Sequence, residues 1–193
     1  MGITTDEFFE NIYSVIFSPK AFFEKKDRTI SIRLAAATVA FIAVINKLIA
    51  SVFGTSTTNI FLLIFFLILQ VAAMLVLWFL TALFFEYTAK IFDKSGNFHK
   101  VLFYTSFAPI PYIFFAPLNL LKQFSNSGYF IGSIAELILY FWIIFLYALS
   151  IRAAYDISIS RSFMLIFLPF VSSFFAIYWL VCFFIKIEAI FSI

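Results

Sequence analysis

From Ile60 to Phe85 the sequence carries no charged side chain, and that one run decides most of what this chain can fold into. A helix crossing a bilayer core of about 30 Å needs roughly 18–20 apolar residues in succession, and several runs in this sequence exceed that length. Composition agrees. The chain is 64% hydrophobic and 12% charged, where soluble domains average about 45–50% apolar and about 25% charged residues. Its 193 residues leave room for one membrane domain and no sizeable soluble one.

The spans implied are about 32–53, 60–90, 101–121, 129–151 and 162–187. The reading is an all-α polytopic transmembrane bundle: five transmembrane helices, residues 32–193, behind an N-terminal cytoplasmic segment, residues 1–31. In that segment Thr4 and Glu7 have capping-box spacing, and Phe8, Ile12, Val15 and Ile16 recur at helical intervals. The pattern predicts a short amphipathic helix, either lying in the membrane interface or packed on the ends of the spans. Residues 1–11 are acidic and the first long apolar segment starts near Leu34, so no cleavable signal peptide is expected. Cys182, the one cysteine, sits in an apolar run and reads as a small hydrophobe.

Charge sets the expected topology. Lys20, Lys25, Lys26, Arg28 and Arg33 form a basic collar that anionic headgroups would attract. The 90–100 and 152–161 connectors are also basic, whereas the other loops and the tail hold only Lys122 and Lys186. Positive charge on alternate loops puts the N-terminus in the cytoplasm and the C-terminus outside. The net charge of +3 is thus a topology signal and not a nucleic-acid footprint.

The stretch Lys90 to Pro111 is the most charged point of the interior, and it leads straight into a span holding Pro109, Pro111 and Pro117. Each proline removes a backbone donor, so this helix is expected to break. Broken helices at membrane depth survive only where protein or a water-filled cavity receives the freed carbonyls. The third span therefore belongs inside the bundle.

Three stretches carry a family resemblance. They are Ser18-Pro19-Lys20-Ala21-Phe22-Phe23, then Gly96-Asn97-Phe98-His99-Lys100-Val101 with Tyr104-Thr105-Ser106-Phe107-Ala108-Pro109, and Trp142 through Ala148-Leu149-Ser150-Ile151-Arg152 with Ser158-Ile159-Ser160-Arg161-Ser162. In order and spacing they resemble the Yip1 family of five-span integral membrane proteins. The resemblance implies five helices, an inward N-terminus and a non-enzymatic, trafficking-type or membrane-organising role. Eukaryotic relatives associate with Rab-type GTPases. This chain lacks their long cytosolic N-terminal region and its Asp-Leu-Tyr-Gly-Pro-type motif, so a GTPase partner is not carried over. The short form looks like the prokaryotic branch, which implies the cytoplasmic (inner) membrane.

Lys47 and Glu136 are the candidate intramembrane polar pair. Each lies roughly 10 Å from the outer boundary at 1.5 Å per residue, on a face of small residues. A structural ion pair, separate snorkelling, and a proton or ligand site all fit. Glu86 could pair with Lys90 one turn on, and Gln70 reads as an interhelical hydrogen bond. His99 reads as a headgroup contact or a solvated residue. Gly128-x-x-x-Gly132 suits close packing, within the chain more readily than between chains. No catalytic constellation, phosphate loop or metal-ligand spacing is present, and no cofactor is expected. Two function classes stand: a membrane-organising or interaction factor holding anionic lipids, with a membrane-protein partner or homodimer conceivable, and a small transporter or channel with a polar path through Gln70, Lys47 and Glu136.

Overall fold

The computed structural model describes residues 5–25, 30–53, 60–90, 98–168 and 171. The described residues contain helices and no strands: α1 (Thr5–Phe17), α2 (Pro19–Glu24), α3 (Ile32–Phe53), α4 (Ile60–Ala89), α5 (Phe98–Thr105), a 3₁₀ segment (Ile110–Phe114), α6 (Phe115–Phe124) and α7 (Asn126–Tyr155). A further short apolar helix, α8, follows at Ile159–Leu168. Among the described residues four segments are long and apolar enough to cross a membrane: Ile32–Ser51, Ile60–Ala89, Phe98–Gln123 and Asn126–Tyr155. These are the first four expected spans, the third and fourth each reaching a few residues beyond the expected limits. Most of the fifth, with Cys182, lies outside the described residues, as do Lys26 and Arg28.

α4 is apolar on every side and 30 residues long, about 45 Å at 1.5 Å per residue, so it must tilt or protrude from a core of about 30 Å. It exposes Phe61, Phe65, Ile68, Leu77 and Leu80, a lipid-facing surface that water could not cover. α3 does the opposite with Ala35, Val39, Ile42 and Ala43, all buried. Buried hydroxyls in the spans bond back to their own helices, as Thr38 Oγ1 does to the Leu34 carbonyl at 2.9 Å. A hydroxyl can thus sit in apolar surroundings without an orphaned donor.

The third span is broken where the prolines fall. α5 ends at Thr105, a stretch of turns follows, and the chain resumes as the 3₁₀ segment and α6. Every residue from Val101 to Pro111 is buried, so the irregular backbone sits at the centre of the bundle.

The N-terminal segment packs into the same core. Val15, Phe22 and Phe23 belong to one cluster with Leu34, Phe103, Phe107 and Leu149, and Phe8, Ile12 and Ile16 pack against it. α1 packs on the bundle: the Phe8 ring meets Phe41 of α3 edge-on at 5.3 Å. α1 nonetheless turns a second face outward, carrying Phe9, Tyr13 and Phe17 at 58%, 63% and 67% exposure.

Candidate functional site

Two places hold the polar chemistry of the bundle: the break in the third span and a cavity beside α6.

At the break, Pro109, Pro111 and Pro117 lack the N–H groups that a continuous helix would aim at carbonyls one turn earlier. Side chains from three directions supply donors to the end of α5. Trp78 Nε1 of α4 donates to the Leu102 carbonyl at 3.1 Å. Ser106 Oγ donates to the Phe103 carbonyl at 2.7 Å. Ser150 Oγ of α7 is shared between the carbonyls of Tyr104 at 3.1 Å and Leu146 at 2.8 Å. Beyond them Ile110 N–H donates to the Phe107 carbonyl at 3.2 Å and Tyr112 N–H to that of Pro109 at 2.9 Å. These donors meet carbonyls on both sides of the break.

α2 closes it. Pro19 opens this helix at a position where a missing N–H costs nothing. Phe22 meets Phe107 at 4.9 Å between ring centroids, and Phe23 meets Tyr104 at 6.0 Å. Both phenylalanines are almost fully buried. The Arg152 guanidinium, at the end of α7, meets the Glu24 carboxylate at 3.2 Å. This pair is part-exposed and tethers α2 weakly. A cavity of about 300 Å³ lies alongside, lined by Glu24, Tyr104, Arg152 and Asp156 among others.

Glu86 also works between helices. Tyr155 Oη of α7 donates to Glu86 Oε2 at 2.6 Å, a contact between helices that the sequence did not indicate. Of the basic collar, Lys20, Lys25 and Arg33 are described, and all are exposed. His99 is exposed too.

The second place is a cavity of about 330 Å³ between α3, α4 and α6, where Asn46, Lys47, Gln70, Asn119 and Gln123 converge around Phe115. Lys47 Nζ stands 5.4 Å from the centre of the Phe66 ring, a cation–π contact. Lys47 and Gln70 thus come together. Lys47 and Glu136 do not, which corrects the pairing expected between them. Glu136 Oε2 is held by Lys122 Nζ at 2.5 Å, with both side chains mostly shielded.

The cause is the turn between α6 and α7. Ser125, the single residue between the two helices, is extended, and its Oγ accepts from the Gly128 N–H at 3.0 Å. So short a turn lays α6 directly on α7. Gly128 and Gly132 make room: a Cβ on Gly128 would stand 2.4 Å from the Leu121 carbonyl oxygen, and one on Gly132 would stand 2.6 Å from Lys122 Cγ. Lys122 passes over Gly132 and reaches Glu136 before Lys47 can. Sequence reasoning missed Lys122, Trp78, Ser150 and Tyr155. Only Lys122 left a signal, since Ser125 at N-cap spacing from Gly128 marks the turn that brings it across.

A group of three or more His, Cys, Asp or Glu side chains able to hold a metal is absent among the described residues.

A family model described as the Yip1 domain matches residues 13–180. No curated protein and no solved structure matches the chain. The matched stretch takes in the apolar spans, the broken helix, its α2 plug and the polar cavity: this is a multi-pass integral membrane protein, and it belongs to the Yip1 domain family.

Proposed function

We propose that the protein is a non-enzymatic membrane-organising factor of the cytoplasmic membrane, its N-terminus inward, acting on the anionic leaflet through α1 and the basic collar. The observation that carries this reading is the double face of α1. One side, with Ile12, Val15 and Ile16, is anchored on the bundle, and the other presents Phe9, Tyr13 and Phe17. Aromatic side chains favour the headgroup level of a bilayer. Lys20, Lys25 and Arg33, exposed nearby in the chain, add attraction to anionic lipid of about 1 kcal/mol each. A helix fixed to integral spans that wedges aromatic rings between headgroups spreads one leaflet relative to the other.

Reconstitution tests it. Wild-type protein in vesicles rich in phosphatidylglycerol should reduce vesicle diameter or draw tubules under electron microscopy. Phe9→Ser/Tyr13→Ser/Phe17→Ser and Lys20→Gln/Lys25→Gln/Arg33→Gln should each weaken that effect while helix content stays constant. Equal remodelling by all three proteins, or none by the wild type, sinks the reading.

The rival reading, a small transporter or channel, draws on the cavity at Lys47 and Gln70. Against it stands the filled break, where Phe22, Phe103 and Phe107 are fully buried against one another and offer a solute no room.

A further inference from the structure

The cavity beside α6 is built from an unusual set of groups for the interior of a membrane protein. Lys47 is the one ionised side chain in its lining, and four carboxamides, Asn46, Gln70, Asn119 and Gln123, surround it without a carboxylate. A charge at membrane depth is normally paired. Within the described residues the acid that could have served, Glu136, is taken by Lys122, and Lys47 has only the Phe66 ring. Asn46 uses one N–H on the Ile42 carbonyl at 3.1 Å. Gln70, half-buried and 10 residues into α4, stands about 15 Å along the helix axis with its donors directed to no described protein group. An amide at membrane depth without a partner is costly, since hydrocarbon offers none.

We propose that this cavity binds a phosphate-bearing anion, held by the Lys47 ammonium and the carboxamides of Gln70, Asn119 and Gln123. Phosphate oxygens accept several hydrogen bonds at once and pair strongly with an ammonium. A lining with one positive charge, several N–H donors and no acid fits that chemistry and disfavours a metal cation. The volume of about 330 Å³ stands at the small end of ligand pockets, enough for a phosphate group with a short polar substituent. Asn119 and Gln123 are exposed, so the site opens at the α6 side, away from the collar end of α3. The anion is either the headgroup of a phospholipid seated against the bundle or free phosphate. The site is independent of α1 and of its proposed role.

Native mass spectrometry of the full-length protein in neutral detergent separates the outcomes, with phosphatidylglycerol and phosphatidylcholine of matched chains and inorganic phosphate as probes. Wild type should retain phosphatidylglycerol over phosphatidylcholine by at least about tenfold, as expected for a charge-assisted site. Lys47→Met should abolish that preference and Lys47→Arg should keep it. Lys20→Gln/Lys25→Gln/Arg33→Gln should leave the tightest-bound lipid in place, which separates this site from the collar. If Lys47→Met does not fold, Asn119→Leu/Gln123→Leu, at exposed positions, should weaken retention instead. Displacement of the lipid by millimolar phosphate, or phosphate binding alone that needs Lys47, assigns the site to the free anion. Resistance to phosphate assigns it to the headgroup. The proposal is overturned if both probes bind Lys47→Met and Asn119→Leu/Gln123→Leu as they bind wild type, if neither probe binds the wild type, or if the collar variant alone loses the lipid.

Discussion

Gly128 and Gly132 occupy the same face of α7 one turn apart, yet they meet different things, and that difference has a measurable consequence. A methyl at Gly128 would collide with a backbone oxygen, Leu121 O, whereas one at Gly132 would press first on the flexible Lys122 side chain. Gly128→Ala should therefore destabilise the protein by about 1–3 kcal/mol, the usual cost of overpacking. Gly132→Ala should also destabilise, but less, because the added methyl displaces Lys122 near its root and disturbs its pair with Glu136, a cost that alanine's better helix propensity of about 1 kcal/mol offsets in part. Unfolding titrations in mixed micelles measure both; similar losses for the two would mean that α6 and α7 do not pack as described. The glycine spacing is legible in the sequence as a close-packing face. Which helix uses it is not, since that depends on the one-residue turn at Ser125.

At the scale of the element, the third span shows how a membrane tolerates a helix that its prolines forbid. Pro109 and Pro111 announce the break, and the need to satisfy freed carbonyls announces that it is interior. Nothing in the local sequence identifies the donors, because Trp78 is 24 residues away from Leu102 and Ser150 is 46 away from Tyr104. Interhelical hydrogen bonds in membranes contribute about 0.6–2 kcal/mol each. Trp78→Phe and Ser150→Ala should each lower stability within that range, and the double variant should lose more than either alone. Equal stability of Ser150→Ala and wild type would show that the Tyr104 carbonyl does not depend on α7. α2 likewise reads in the sequence as a short turn after Ser18-Pro19. Its role as the cover of the break emerges only from the contact between the Phe22 and Phe107 rings.

For the whole molecule, the charge pattern predicts an orientation. Alternating basic loops argue that the 90–100 connector is cytoplasmic and that the α6–α7 turn is outside. Paired reporters inserted after Ser95 and after Asn126 should report the cytoplasmic and the outer side respectively. A reporter after Ile193 should report outside if residues 162–187 cross. A cytoplasmic signal there would leave a bundle of four crossings, with α8 as a short terminal helix.

What the sequence by itself determined is the part governed by local composition: an all-helical, multi-pass bundle, the position and inward placement of the broken span, and the lone polar residues that a bilayer makes conspicuous. These follow because hydrocarbon penalises every unsatisfied backbone group and every charge, whatever the tertiary arrangement. Partner choice was decided by the tertiary structure alone. Counting along the spans puts Lys47 and Glu136 at similar expected depth with opposite charge, and depth and charge alone favoured joining them. The turn at Ser125 brings Lys122 to Glu136 first, and Lys47 is left among carboxamides.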